Sequence, residues 1–309
     1  MGRDLFGKRK DPFFPARQCG KMKKNGRSCP EMAEGKMRKK ILILGASGTV
    51  GSAVFRILSG HREWTVTGTW HSAEPEEKAA MRHYSMDRPE ELNFVLDEVQ
   101  PDLIISSLTG NFEQQLRTHE QAADYLSRCG GKIIFISTAN VFDGSLDVPH
   151  YEEDTRISVS DYGKFKIRCE EMLEERLGDR AMLVRLPFVW GRNSRRMREV
   201  KAGCEAGKLE VYDGLMSNHA ADLQIAKVVE WMVLEDAKGI FHIGCSDLIA
   251  YPDFIRGLIA AKGWNMPEWT AVEAKQTMAV LSRRADMPEA LSWDSGQIIR
   301  YLAGADDFQ

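Results

Sequence analysis

The 309-residue chain has no apolar stretch approaching the roughly 20 residues of a membrane span, and no apolar core of the kind that opens a signal peptide. A helical membrane protein is therefore excluded and a cytoplasmic protein expected. Its six cysteines, at positions 19, 29, 129, 169, 204 and 245, never form Cys-x-x-Cys and have no histidine at metal-ligand spacing. That absence argues against zinc and against a disulfide framework, and Cys169, on an apolar helix face, reads as core. No internal repeat and no heptad pattern appears.

The formal charge of −3 hides an asymmetry: residues 1–40 carry 13 Lys/Arg against 4 Asp/Glu, and the remaining 269 carry 29 against 41. Residues 1–37 also lack hydrophobic periodicity and are rich in Gly, Pro and Lys, so they read as a disordered extension. A basic arm can touch nucleic acid or an acidic membrane, yet more commonly it is only solvated, and neither partner is expected. Met37, just before RKKILILG, is an alternative start of translation.

What is present is an alternation of two periods. Residues 41–44 (ILIL) form a continuous apolar run suited to a strand buried on both faces. From Val50, apolar residues at Ala53, Val54, Ile57 and Leu58 follow one face of a helix. The same reading gives strands at 64–69, 101–107, 132–138, 181–186 and 239–244. It gives helices at 89–99, 112–129, 161–177 and 220–234. Such alternation predicts an α/β fold, a Rossmann-type doubly wound parallel sheet. Its core would span residues 38–189 and 219–244, and the less regular residues 190–218 and 245–309 would form a small C-terminal substrate lobe.

Gly45, Gly48 and Gly51 sit at the first strand-to-helix join. A tight turn alone would need glycine flexibility. A strand before and a helix after favour a second reading, a turn that brings the phosphates of a dinucleotide to free helix N–H groups.

On the predicted helix 161–177, Tyr162 and Lys166 are four apart and project from one face. An ammonium beside a phenol stabilises the phenolate, bringing an ordinary pKa near 10 toward a useful range. Strand 132–138 ends in Ser137 and Thr138, at the sheet edge where the glycine turn would place a cofactor. A hydroxyl there can bond a carbonyl oxygen that Tyr162 protonates; otherwise it caps the following turn.

The motifs GASGTVG (45–51), PDLIISS (101–107), STANVFDG (137–144), YGKFK (162–166), RLPFVWG (185–191), FHIGCSDLIAYPDFIRGLI (241–259) and SRRADMPEALSWD (282–294) occur in this order. With them the chain resembles the extended short-chain dehydrogenase/reductases, and within these the dTDP-4-dehydrorhamnose reductase-like proteins. The resemblance implies pyrophosphate contacts from Gly45, Ser47, Gly48, Thr49, Val50 and Gly51 and further cofactor contacts from Ser107, Leu108 and Thr109. It places Asp87 at the adenine, an aspartate that could instead cap a helix. Thr138 would polarise the substrate carbonyl, Tyr162 would donate the proton, and Lys166 would hold the nicotinamide ribose. Asn140, Phe188, Arg283 and Arg284 would contact a nucleotide-sugar substrate; the two arginines either grip its diphosphate or belong to a solvated turn. A homodimer is compatible with the family, and no metal is implied.

Three departures fall where the sugar nucleotide would be read. Ala139 and Asn140 replace the family's Asp-Tyr; the loop SSLTGNFEQQ is short, leaving Thr109, Gly110 and Asn111 to line the cofactor; and Asn218 and His219 replace a Pro-Thr pair. After the second strand come Thr69, Trp70, His71 and Ser72, with no acid before Glu74 to hold a ribose 2′-hydroxyl. His71 or Ser72 could bind a 2′-phosphate, which favours NADP, with NAD as the other possibility. The expected activity is NAD(P)H-dependent reduction of a 4-keto nucleotide deoxysugar, dTDP-4-dehydrorhamnose foremost. The rivals are a dinucleotide-binding regulatory protein without catalysis and a sugar-nucleotide epimerase or dehydratase.

Overall fold

Seven short strands are laid side by side in a parallel sheet, and the central ones are apolar and almost wholly buried, as strands covered on both faces require. The computed structural model describes residues 38–72, 78–305 and 308; the basic segment 1–37 and Glu74 lie outside the described residues. The strands are β1 (Lys39–Leu44), β2 (Trp64–Trp70), β3 (Met81–His83), β4 (Leu103–Ser106), β5 (Lys132–Thr138), β6 (Ala181–Leu186), β7 (Phe188–Trp190), β8 (Lys208–Ser217), β9 (His219–Ala221), β10 (Ile240–His242), β11 (Ile249–Ala250) and β12 (Glu268–Met278). The helices are α1 (Thr49–Leu58), α2 (Glu90–Val99), α3 (Phe112–Cys129), α4 (Asp161–Leu177), α5 (Arg195–Ala206), α6 (Asp222–Leu234), α7 (Tyr251–Ala261) and α8 (Ser295–Ala303). Among the described residues no helix is long and apolar enough to cross a membrane.

The main sheet runs β10-β6-β5-β4-β1-β2-β3, all parallel. Strand order reverses between β1 and β4, which opens a crevice at the carboxyl ends of those strands. β1 shows why its apolar run is unbroken. Ile41 and Ile43 join one core with Val54 and Leu58 of α1 and Val229 and Met232 of α6. Leu42 and Leu44 join another with Leu96 of α2, Leu126 of α3 and Leu173 of α4. Helix ends follow local chemistry: Asn111 Oδ1 accepts from Gln114 N at the start of α3 (3.1 Å), and Gly130 closes that helix at φ +74°. Ser160 Oγ accepts from Gly163 N (3.1 Å) to start α4.

The expected doubly wound sheet is present, and the bounds expected for β5, β6, α3 and α4 coincide with those observed. Two expectations are corrected. β3, only three residues long, went unread. The segments described as less regular contain β8 and β12, of ten and eleven residues, paired in parallel beside β11, and α8, which opens with a capping box between Asp294 and Gln297. These strands expose one face and carry charged residues there, so they never form the apolar run by which a buried strand is recognised. A third apolar cluster, including Trp190, Leu215, Phe254, Leu258 and Ile298, lies among these elements.

Candidate active site

The glycine turn is held by its neighbour strand. Gly45 has φ +81°, a conformation open chiefly to glycine, and its N–H donates to Thr69 Oγ1 (3.0 Å) at the end of β2. Gly48 precedes α1 without any side-chain cap, leaving first-turn N–H groups for a ligand. Gly51 acts differently from expectation: it does not line the cavity. A Cβ there would collide with the Gly45 carbonyl oxygen and lie 2.7 Å from Ser107 Oγ, so glycine permits the close seating of α1 on the turn.

Above this turn a cavity of about 1120 Å³ follows the carboxyl edge of the sheet. Ser47, Gly48, Thr49 and Val50 form one wall, with His71 and Ser72 beyond β2. Ser107, Leu108, Thr109, Gly110 and Asn111 form the loop after β4 and border the cavity. Asp87 also lines it; its Oδ1 accepts from Gln114 Nε2 (2.6 Å), and since Pro89 occupies the N-cap of α2, Asp87 does not cap that helix. An uncapped helix start, a left-handed glycine and an elongated cleft with no acid from Thr69 to Ser72 together fit a dinucleotide.

Further along, Thr138, Asn140, Tyr162 and Lys166 meet in the same cavity. Thr138 Oγ1 donates to Asn140 Oδ1 (3.0 Å) and accepts from Asn140 N (3.2 Å). The Ser137 hydroxyl is committed elsewhere: it donates to Glu170, a wholly buried carboxylate that also binds Arg185 Nη2 (2.8 Å) and Arg156 Nη1 (3.1 Å). Lys166 is buried, with Nζ donating to the Ile136 carbonyl (3.0 Å) and 6.0 Å from the Tyr162 ring centroid. Burial pushes its ammonium down to about 8.

Burial raises the Tyr162 phenol above its ordinary value, and a hydrogen bond with Thr138 opposes this. The Lys166 ammonium, expected to lower the phenol, donates to the Ile136 carbonyl and lies 6.0 Å from the Tyr162 ring centroid. A phenol so placed keeps its proton at neutral pH and can give it up to a developing alkoxide.

Of the expected substrate contacts, Asn140 and Phe188 line the cavity, but Arg283 and Arg284 do not. Arg283 stacks on Tyr151 (3.5 Å to the centroid) and pairs with Glu153 (3.0 Å); Arg284 pairs with Asp286 (2.6 Å) and donates to the Lys238 and Ile240 carbonyls. Arg195, Arg196 and Glu199 from the start of α5 line it instead. The run of arginines in GRNSRRMR was the available signal, and only the fold turns it toward the cleft. Asn218 and His219, which stand in place of the family's Pro-Thr pair, do not line the cavity. Both are fully buried, Asn218 bonding Val280 O (2.7 Å) and Val280 N (3.1 Å), His219 stacking on Phe254 (3.7 Å) and accepting from Trp190 Nε1 (3.0 Å).

Residues 38–289 match the family model of the RmlD substrate binding domain. A 163-residue stretch is 29% identical to the probable low-salt glycan biosynthesis reductase Agl14 of Haloferax volcanii, covering 48% of this chain and 53% of that protein. A 162-residue stretch is 28% identical to the methionine adenosyltransferase 2 subunit beta of Mus musculus, covering 50% of this chain and 48% of that one. The chain thus spans about half the length of these curated relatives. Among solved structures, a dTDP-4-dehydrorhamnose reductase from Bacillus anthracis in complex with NADP shares the fold, with a TM-score of 0.68 at 15% identity over 87% of this chain and 99% of that one.

Proposed function

The chain belongs to the RmlD substrate binding domain family, and from that premise we propose that it is an NADPH-dependent reductase of a 4-keto nucleotide deoxysugar, converting dTDP-4-dehydrorhamnose to dTDP-rhamnose. The observation that carries this reading is the convergence of Thr138, Tyr162 and Lys166 in the cavity that begins at the glycine turn. Reduced nicotinamide, when bound, supplies a hydride to the carbonyl carbon. The chain supplies the rest. Tyr162 donates its proton to the carbonyl oxygen, and the upward shift of its pKa keeps that proton in place until charge develops there. Thr138 turns its hydroxyl from Asn140 to the same oxygen, stabilising the developing charge. Lys166, one turn from Tyr162, holds the ribose hydroxyls with its ammonium. His71 and Ser72 line the cavity where a ribose 2′-phosphate would lie, with no acid among Thr69 to Ser72 to repel it, which supports NADPH over NADH.

The test follows nicotinamide absorbance with purified protein, NADPH and dTDP-4-dehydrorhamnose. Wild type consumes NADPH, whereas Tyr162→Phe loses at least about 100-fold in turnover and retains NADPH binding. Consumption with a different keto-sugar nucleotide only would keep the chemistry and discard the substrate.

A second reading is a dinucleotide-binding subunit without catalysis. The likeness to the methionine adenosyltransferase 2 subunit beta supports it. It predicts NADPH binding without turnover on any keto-sugar nucleotide, in wild type and Tyr162→Phe alike.

A further inference from the structure

A second cavity, of about 710 Å³, shares Ser47, Gly48, Thr49, Ser194 and Arg195 with the first and extends over residues the proposed reduction does not use. Its chemistry is unusual for this chain. Residues 38–309 carry 32 Lys/Arg against 41 Asp/Glu, yet this cavity gathers Arg56, Arg192, Arg195, Arg198 and Lys227, and among the described residues its only acid is Asp222.

Among the described residues, four of those five cations form no salt bridge. Arg192 Nε donates to the Tyr301 carbonyl (2.8 Å) and its Nη2 to the Ala305 carbonyl (3.1 Å); Arg198 donates to the Asn193 carbonyl (3.3 Å) and Lys227 to that of Phe308 (3.3 Å). Carbonyls hold these groups in place without cancelling their charge. Arg56 is exposed on α1. Among the described residues only Arg195 of the five has a salt-bridge partner, Glu199 at 2.7 Å. Asp222, whose Oδ1 accepts from the Tyr301 hydroxyl (2.7 Å) and from Leu223 N (2.9 Å), acts electrostatically on Arg56 and Arg192, but its single negative charge leaves the cavity with an excess of positive charge.

Several arginines elsewhere among the described residues are paired with acids: Arg82 with Glu98, Arg156 with Glu174, Arg176 with Asp124. A pocket that holds several like charges close together at fixed positions lowers its energy by taking up an anion of matching charge. Arginine forks suit phosphate oxygens in particular. We propose that this cavity binds a small molecule carrying linked phosphates, whether inorganic or the phosphate end of a nucleotide.

Pyrophosphate and ADP, titrated separately by calorimetry into the full chain at low ionic strength, test this without relying on the reductase reading. Each should bind at one saturable site. Arg56→Gln/Lys227→Gln should weaken pyrophosphate at least tenfold at an unchanged melting temperature. A control pair lining neither cavity, Lys201→Gln/Lys208→Gln, should change affinity less than twofold. Equal affinity for the two probes assigns the phosphates alone, and tenfold tighter ADP that Arg56→Gln/Lys227→Gln also weakens at least tenfold assigns a nucleotide. The proposal is overturned if pyrophosphate shows no saturable binding, if Arg56→Gln/Lys227→Gln binds it as wild type does, or if both pairs weaken it alike.

Discussion

Removing the carboxylate of Glu170 should destabilise the protein more than any surface change. Glu170 lies on α4 one turn beyond Lys166, and both it and Arg185 are within 1% of full burial. The guanidinium of Arg185 reaches it through Nη2 at 2.8 Å and Nε at 3.2 and 3.3 Å, Arg156 adds a bond at 3.1 Å, and Ser137 adds another. Glu170→Ala leaves Arg185 charged and dry without a carboxylate, for which about 3–5 kcal/mol is the expected loss. Glu170→Leu/Arg185→Met removes both charges together and should cost about 1 kcal/mol or less, since replacing a whole buried pair is often near neutral.

The pH dependence has a defined sign. Burial pushes the Glu170 carboxyl upward, but Arg185, Ser137 and Arg156 outweigh it and hold the group below its ordinary value. A depressed carboxyl contributes stability above the unfolded pKa of about 4.3, and that contribution disappears as pH falls through the folded pKa. Urea unfolding at pH 7 and across the acid range, followed by tryptophan fluorescence, measures both effects. A single-mutant loss below about 1 kcal/mol, or a double mutant as unstable as the single, would refute the reasoning.

Lys166→Met should abolish turnover while raising stability at pH 7 by about 2 kcal/mol, as read by urea unfolding; burial holds the ammonium at about 8 against about 10.4 unfolded, and roughly 1 kcal/mol of lost hydrogen bond to Ile136 offsets part of the gain. Because the unfolded chain binds more protons between those two values, the stability of wild type should rise with pH through that window, and that of the variant should not. Gly51→Ala should cost about 1–3 kcal/mol by overpacking and weaken NADPH at least tenfold in a fluorescence titration, because its Cβ displaces the turn; unchanged NADPH affinity would count against that account. Arg196→Ala should raise KM for the nucleotide sugar at least tenfold, whereas Arg284→Ala should leave it within twofold, the opposite of what sequence position suggested.

The sheet was legible because its strands are buried on both faces and so carry an apolar signature that needs no context. The alternation at Ile41 and Leu42 into opposite cores is the physical form of that run. α3 and α4 were legible to the residue, since Asn111, Ser160 and the closing glycines act on their own helices. β8 and β12 were not, because each depends on a partner some 60 residues away for its pairing and exposes its other face. Lys166 escaped in a subtler way: its spacing from Tyr162 is local and correct, but the Ile136 carbonyl that captures it is a gift of β5.

The sequence by itself determined the alternating strands and helices of the main sheet apart from β3, the glycine turn, and the hydroxyl, phenol and ammonium of the candidate site, because each rests on spacing within a single element or at one junction. Only the tertiary structure decided which arginines face the cleft. Arg283 and Arg284 found Tyr151, Glu153 and Asp286, and Arg195 and Arg196 took the cavity wall. It also decided that Gly51 serves packing and that Asn218 and His219 are buried ties. Those outcomes depend on which distant residue arrives beside a side chain, and no local period encodes that.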